Sequence, residues 1–500
     1  MRYFNSIIFT AVMFFVLPSK GIAQSSVKTF VDSWVTTPNR SELLEKQMDT
    51  IAFEDKQPWG IYPIVVDDNQ KMQSMDGFGF ALTGGSAELL MKMTPFERTK
   101  IIKELFAVDN VGVSYLRLSI GASDLNSFVF SYDDIEKGET DYNLRKFSLA
   151  QDLKDVVPII KEILKINPDI KILGSPWSAP VWMKENTNTR GGALKKECYT
   201  VYANYFIKYI HTMKNEGITI DAITIQNEPL NSFNTPSMPW YNYEQKNFLK
   251  DYLIPAFKRN NITTKLILFD HNCDRPDYPL TLLTDPIIGD YVAGSGFHHY
   301  RGDINTMSTL HNARPDKNIY FTEQMVVDTP DKPFDIAGQV KRLIVGVSRN
   351  WSKNVVLWNL AADLNNDPHT DNGGCSMCQG AISIDGDIVT RNLAYYVIAH
   401  ASKFVRPGSC RIASTASGEQ ALSLTQDEER PEVMRATLIN NIQVLPNVAF
   451  KTPDGKIVLI VSNDSYSNEY FCIQYKGKYA NIKLTPGCVG TYYWQADKSI

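Results

Sequence analysis

The stretch DAITIQNEP, residues 221–229, is a short apolar run that ends abruptly in polar residues. It follows a helical pattern from Tyr199 to Lys214, which Gly217 terminates. The apolar run has the length of a strand, and a helix followed by a buried strand is typical of α/β folds. The stretch therefore predicts a strand whose polar end must find hydrogen-bonding partners or a ligand.

The same unit recurs along most of the chain. Short apolar runs alternate with helical patterns, and we expect strands at Gly77–Leu82, Ser114–Ser119, Ile170–Ser175, Asp221–Gln226, Lys265–Asp270, Gly294–His299, Asn318–Thr322 and Asn354–Asn359. Strand and helix repeated eight times predict the α/β class, with a closed (β/α)8 TIM barrel over residues 75–404. This span exceeds that of a minimal barrel, which implies long loop insertions.

After His400 the pattern changes to short alternating runs between Gly, Pro, Asn and Asp. These predict an all-β sandwich over residues 405–500, with strands at Arg411–Ala416, Ala421–Thr425, Glu432–Ile439, Lys456–Ser462, Tyr470–Tyr475 and Tyr492–Trp494. Residues 24–74 contain one strand pattern at 60–66 and a candidate short helix at Ser41–Met48. Because these N-terminal strands have no partner of their own, we expect them to complete the C-terminal sandwich.

The first 23 residues have the pattern of a signal peptide. Arg2 precedes an apolar run from Phe4 to Leu17, and the small residues Gly21 and Ala23 form a cleavage site. The run is too short to span a bilayer, and no other segment is long and apolar enough to do so. We therefore expect an exported protein, periplasmic or extracellular. The formal net charge of -4 gives no electrostatic case for binding nucleic acid or an anionic membrane.

The seven cysteines are an odd number, so at least one is unpaired. Cys375 and Cys378 have the spacing of a zinc knuckle, but no second Cys or His pair lies nearby in the sequence. A local disulfide or two loop thiols is therefore favoured over zinc. Cys472 and Cys488 flank a strand-rich stretch and are a second candidate pair.

Polar residues follow the predicted barrel strands, and TIM-barrel active sites lie at those C-terminal strand ends. Glu228 ends the fourth strand and Glu323 the seventh, so their side chains are expected to face each other across a central pocket. Either glutamate alone is more simply explained as a solvated residue at the end of a strand, without a catalytic role. Together they are the acid and nucleophile that glycoside hydrolysis requires. We expect burial and the neighbouring negative charge to keep Glu228 protonated.

Other side chains at the same mouth suit a sugar. Trp177 and Trp358 offer flat apolar faces, and we expect a glucosyl ring to lie between them. Asn227 is placed to hold a sugar 2-hydroxyl. Adjacent strand residues point to opposite faces, so His298 is expected to point inward and His299 outward. A metal at this histidine pair is not favoured.

Several strings resemble glycoside hydrolase family 30: DGFG at 76–79, SPWSAPVWMK at 175–184, QNEP at 226–229, FTE at 321–323 and LWNL at 357–360. The resemblance covers the chain from about Met72 to its end. It implies a retaining mechanism without a cofactor, in which Glu228 is the acid/base and Glu323 the nucleophile. It also implies a sugar subsite lined by Asp124, Trp177, Asn227, His298, Tyr300 and Trp358.

Two departures from the glucosylceramidase branch favour a glucan as substrate. His299 stands where those enzymes carry a Trp, and the loop NGGCSMCQG at 372–380 resembles that of microbial β-glucanases. The predicted activity is that of an endo-β-1,6-glucanase. The alternatives are a glucosylceramidase or exo-β-glucosidase, a xylanase or fucosidase, and a sugar-binding protein that has lost catalysis.

Overall fold

The computed structural model describes residues 29–418, 421–426, 434–439 and 443–496, with side chains except between 419 and 442. The predicted signal peptide at residues 1–23 lies outside the described residues, as do the first two residues of the strand predicted at Glu432–Ile439. Among the described helices, none combines the length and the apolar character that a membrane span requires.

Eight parallel strands close into a barrel in chain order, which confirms the predicted TIM barrel. They are Gly77–Ala81, Tyr115–Ser119, Lys171–Ser175, Ala222–Thr224, Lys265–Asn272, Gly294–His298, Asn318–Glu323 and Ser352–Leu357. We refer to them as barrel strands one to eight. Each strand is buried over most of its length, because helices cover the outside and side chains fill the inside. One interior layer consists of Tyr115, Leu173, Ala222, Ile267, Tyr320 and Val356.

The helices surround the barrel and connect its strands. They are Gly84–Lys92, Pro95–Phe106, Val156–Ile166, Tyr199–Asn215, Asn242–Phe248, Ile254–Arg259, Asp277–Leu283, Pro286–Tyr291, Thr306–Ala313, Ile336–Gln339, Val347–Arg349 and Leu393–Ser402. Two of these helical stretches continue through π-helical segments at Leu249–Leu253 and Val340–Gly346, and 3₁₀ turns lie at Val181–Met183 and Lys196–Cys198. The helix predicted at Tyr199–Lys214 is confirmed.

A ten-stranded sheet forms the second part of the molecule. Its strands are Phe30–Thr36, Glu45–Lys46, Ile51–Ala52, Pro63–Ser74, Cys410–Ser414, Asn447–Lys451, Lys456–Ser462, Glu469–Tyr475, Lys478–Leu484 and Val489–Gln495. The N-terminal strands do join the C-terminal ones: Phe30–Thr36 pairs with Val489–Gln495, and Pro63–Ser74 pairs with Cys410–Ser414. A separate apolar core, which includes Ile64, Leu459 and Trp494, lies within this sandwich.

Two small sheets complete the described structure. One consists of Ala361–Ala362, Ile382–Asp385 and Ile388–Arg391, and the other of Ala421–Gln426 and Met434–Ile439.

The helix predicted at Ser41–Met48 is wrong. Residues 38–44 form turns, and Glu45–Lys46 is a short strand. Asn39 accepts a hydrogen bond from the backbone N–H of Ser41, and this local bond competes with helix formation. Arg40 and Leu44 also have φ values of 62° and 52°, which no right-handed helix accommodates.

The cysteines divide into one bridge and five thiols. Cys375 and Cys378 form a disulfide, which resolves the alternative left open by their spacing. The pairing considered for Cys472 and Cys488 is wrong, because both are free and buried. Their thiols make hydrogen bonds within separate parts of the sandwich instead.

Candidate active site

The two predicted carboxylates meet at the mouth of the barrel. Glu323 is the last residue of barrel strand seven, and Glu228 lies just beyond strand four with a φ of 45°. An oxygen of each carboxylate and a ring nitrogen of His298 all lie within 4.8 Å of one another. Retaining glycosidases hold their two carboxyl groups about 5–5.5 Å apart, whereas inverting enzymes need about 6.5–9.5 Å for a water. An approach of two carboxylate oxygens to within 4.8 Å is closer to the retaining arrangement than to the inverting one.

A buried arginine organises this pair. The guanidinium of Arg117 donates to Glu323 Oε2 at 2.6 Å, to Asp270 Oδ2 at 2.8 Å and to Asn227 Oδ1 at 2.8 Å. Burial disfavours its charge, but Asp270 and Glu323 outweigh that cost and raise the pKa of Arg117. A fully buried guanidinium is stable only with such partners, so Arg117 fixes the nucleophile candidate and Asn227 in one network.

Glu323 is held by a second donor. The Tyr300 hydroxyl donates to Glu323 Oε1 at 2.9 Å and accepts from the Met325 backbone N–H at 2.9 Å. Burial raises the pKa of Glu323, His298 and Arg117 lower it, and Glu228 raises it further. The net shift is upward, because the Glu323 carboxyl is enclosed together with a second carboxyl.

Glu228 has a different electrostatic environment. Burial opposes its ionisation and is the largest single influence. A hydrogen bond from His298 Nδ1 at 3.1 Å, the charges of His271 and His298, and a hydrogen bond from Asn231 together outweigh burial, so the pKa of Glu228 falls to about 2. The expectation that Glu228 is kept protonated is therefore wrong for this arrangement. Burial disfavours the charge of His298, but Glu323, Asp270 and Glu228 raise the pKa of His298 to about 10. The proton nearest to Glu228 is consequently on His298.

The tryptophans are arranged differently from the prediction. The rings of Trp177 and Trp358 stack on each other, with centroids 5.1 Å apart and an interplanar angle of 24°. No sugar ring fits between them, so that expectation is wrong. Trp358 lines the cavity above the carboxylates, while Trp177 lies behind it with the Arg117 guanidinium 4.8 Å from its ring centroid. Only Trp358 is thus placed to present a face to a ligand.

Asp124 also faces the cavity. It is buried, and burial together with Glu323 and Glu228 raises the pKa of Asp124 to about 8. A neutral carboxyl of this kind both donates and accepts hydrogen bonds, which suits a pair of sugar hydroxyls. Since Arg117 occupies the Asn227 side-chain oxygen, the Asn227 amide N–H groups are the atoms that suit a ligand.

The cavity over the carboxylates has a volume of about 620 Å³, within the usual range for ligand sites. The disulfide loop at 375–378 forms part of its wall, because both cysteines line the cavity. A second cavity of about 620 Å³ lies among the loops after strands two and three, and none of the predicted site residues lines it. The predicted histidines diverge as expected: His298 is buried at the site, and His299 bonds Gly302 in a loop.

Glu228, His298 and Glu323 also have the spacing of three metal ligands. Their donor atoms are already engaged: Arg117 bonds Glu323, and protonated His298 bonds Glu228. A divalent cation would have to displace or repel both of these positive groups, so the donor set does not suit a metal.

Three residues of the network were not among the predicted site residues. Asp270, at strand five, accepts from Arg117, His298 and Thr322. Asn231 donates to Glu228 Oε2 at 2.7 Å. The available signal was the position of Arg117 between Leu116 and Leu118 in a buried strand, since a buried arginine implies acidic partners at neighbouring strand ends. No comparable signal marks Asn231.

A TIM barrel with paired carboxylates at this spacing defines the protein as a glycoside hydrolase. The chain belongs to glycoside hydrolase family 30. The model of the family 30 TIM-barrel domain matches residues 75–405, and that of the family 30 beta sandwich domain matches residues 408–492.

The relatives include fungal proteins and a solved structure. The endo-1,6-beta-D-glucanase of Neurospora crassa is 33% identical over 369 residues, which cover 71% of this chain and 76% of that protein. The endo-1,6-beta-D-glucanase neg1 of Aspergillus fumigatus is 33% identical over 412 residues, covering 77% and 83%. The structure of the endo-beta1,6-glucanase BT3312 is 30% identical with a TM-score of 0.80, covering 94% of this chain and 100% of that one.

The raised pKa of His298 predicts a pH-dependent contribution to stability. Below a pH of about 6.5, the pKa of His298 in the unfolded chain, the folded and the unfolded protein both carry the His298 proton, and the stabilisation by protonated His298 is fully present. This stabilisation is lost as the pH rises towards about 10, the pKa of His298 in the folded protein. We expect His298→Asn to lower the free energy of unfolding by about 3 kcal/mol at pH 6. The difference from wild type should shrink steadily up to pH 10, as measured by urea unfolding.

The exposed His211, on the helix Tyr199–Asn215, provides the matched control as His211→Asn. A difference between wild type and His298→Asn that stays constant from pH 6 to pH 10 would contradict the assigned proton on His298.

Proposed function

We propose that the protein is an endo-β-1,6-glucanase that retains anomeric configuration, with Glu323 as nucleophile and Glu228 as acid/base. The observation that carries the proposal is the approach of the two carboxylates to within 4.8 Å at the barrel mouth. The names of the fungal relatives and of the similar solved structure support β-1,6-glucan as the substrate class.

In the first step Glu323 attacks the anomeric carbon and forms a covalent glycosyl-enzyme. The hydrogen bonds from Arg117 and Tyr300 hold the carboxylate in one orientation, which reduces the entropy lost on reaching the transition state. Esterification removes the negative charge of Glu323. The positive charge of Arg117 is then balanced by Asp270 alone.

Glu228 transfers the proton to the leaving oxygen. His298 Nδ1 lies 3.1 Å from Glu228 Oε1, and this hydrogen bond is the route by which Glu228 receives the proton that it gives to the leaving oxygen. In the second step the Glu228 carboxylate deprotonates water, which attacks the glycosyl-enzyme, and the proton returns to His298.

Three other predicted site residues bind the sugar held by the nucleophile. Trp358 supplies an apolar face, while Asp124 and the Asn227 amide bond its hydroxyls. An N–H donor at the 2-hydroxyl lowers the transition-state free energy because that contact strengthens as charge develops on the ring.

We also propose that the chain is exported. A polymeric glucan does not cross a membrane, and the signal-peptide pattern of residues 1–23 supports an enzyme that meets its substrate outside the cytoplasm.

Product sizing on linear β-1,6-glucan tests the proposal, with β-1,3-glucan as the comparison substrate. We expect mixed oligosaccharides of β-1,6-glucan from the earliest time points, released as the β-anomer when followed by NMR. Glucose as the sole early product would show that the enzyme cleaves from the chain end and would overturn the proposed endo action. Cleavage of β-1,3-glucan alone would overturn the linkage, and an initial α-anomer would overturn retention.

A further inference from the structure

The loop that follows Glu228 forms the cavity wall on the side of the acid/base. Asn231 connects the two directly: its side-chain amide donates to Glu228 Oε2 at 2.7 Å, and its side-chain oxygen accepts from the Phe233 backbone N–H at 2.9 Å. One asparagine therefore sets both the position of the Glu228 carboxyl and the turn that carries Phe233.

Phe233 lines the cavity and yet is 72% exposed. An exposed phenylalanine contributes little to the core, and burying such a ring against another surface is favourable. The Arg190 guanidinium lies 6.0 Å from the centroid of its ring. A large apolar surface at the edge of a polar pocket is therefore left for a ligand.

The backbone under this ring is fixed by the disulfide-bearing loop. The Thr235 hydroxyl and the Arg190 guanidinium both donate to the Asn372 carbonyl, at 2.7 and 3.2 Å. Gly373 lies so close that a Cβ there would come within 2.6 Å of the Phe233 carbonyl oxygen. Loops after strands three, four and eight are thus joined beneath Phe233, which makes the ring a preorganised surface.

We propose that Phe233 is the platform of the leaving-group subsite, where it stacks on the glucosyl unit that departs when the bond is cleaved. This inference rests on the proposed function. The acid/base must lie beside the leaving oxygen, so the departing sugar occupies the Glu228 side of the cavity. In a 1,6-linkage an exocyclic methylene separates that oxygen from the departing ring, which places the ring beyond Glu228, where Phe233 lies.

Comparing two kinds of substrate tests the platform. β-Glucosyl fluoride has a leaving group that cannot stack, whereas β-1,6-glucan has a sugar. We expect Phe233→Ala to lower the ratio of kcat/KM for glucan to kcat/KM for the fluoride by about tenfold, from loss of roughly 60 Å² of apolar contact. Phe233→Trp keeps a stacking surface and should restore the ratio. Phe96→Ala, which removes a 76% exposed ring from the helix Pro95–Phe106, is the matched control.

Transfer of glucose from the fluoride to added gentiobiose gives a second measurement, because the acceptor enters through the same subsite. We expect Phe233→Ala to lower the ratio of transfer to hydrolysis by a similar factor. An unchanged ratio in both assays, or an equal loss on both substrates, would overturn the platform. If the wild type transfers glucose but leaves β-1,6-glucan uncut, the proposed linkage fails, while the transfer assay still decides the role of Phe233.

Discussion

Glu323→Gln is expected to lower kcat/KM on β-1,6-glucan by on the order of 10⁵-fold. The amide has nearly the same shape as the carboxylate but has no charged oxygen to attack the anomeric carbon. Its carbonyl still accepts from either Arg117 or Tyr300, which now bond the two carboxylate oxygens. The loss should therefore appear in turnover, with glucan binding retained, as measured by reducing-sugar release and by calorimetric titration.

The matched control is Glu185→Gln, which makes the same chemical change at an exposed position. Glu323→Ala adds a stereochemical test, since azide entering the space of the missing carboxylate attacks from the face opposite the leaving group and gives an α-glucosyl azide. Activity of Glu323→Gln within tenfold of wild type would rule out its role as nucleophile. Loss of glucan binding together with turnover would instead indicate a binding role.

The barrel could be predicted because its strands are buried on both faces. Such strands contain continuous apolar runs, as at residues 266–269 of Lys265–Asn272, where seven of the eight strand residues are buried. The strands of the sandwich were harder to predict from the sequence. The strand Lys478–Leu484 reads KYANIKL, in which the buried Ala480, Ile482 and Leu484 alternate with exposed polar residues over only five positions, so its apolar signal is short and weak. That strand and Asn447–Lys451 were not predicted.

The positions of Glu228 and Glu323 could be predicted because strand number fixes where a side chain lies around a barrel. The protonation states of these two carboxyl groups could not be predicted from the sequence. They depend on His298, which bonds Glu228 and Asp270 at once across strands separated in the sequence. The stacking of Trp177 on Trp358 is likewise a contact between residues 181 positions apart, and residue type alone does not distinguish a sugar platform from a ring that supports one.

Glu228→Gln is expected to separate the two halves of the reaction. On β-1,6-glucan the sugar alkoxide is a poor leaving group, so loss of the general acid should lower kcat/KM by on the order of 10³–10⁴-fold. On β-glucosyl fluoride the leaving group needs little protonation, and the first turnover should stay within about tenfold of wild type. Hydrolysis of the glycosyl-enzyme then lacks its base, so a burst equal to the enzyme concentration should precede a slow steady state.

The contacts of Glu228 sharpen this expectation. Gln accepts through one oxygen where the carboxylate has two, so the bonds to His298 and Asn231 cannot both be kept unchanged. Asn231→Ala is therefore the companion variant: it removes one of these bonds but leaves the carboxyl, and should show no burst. With Glu228→Ala, azide should replace water as nucleophile and give a β-glucosyl azide, the opposite anomer from the Glu323 variant. Equal losses on glucan and fluoride, with no burst, would show that Glu228 positions the sugar without transferring a proton.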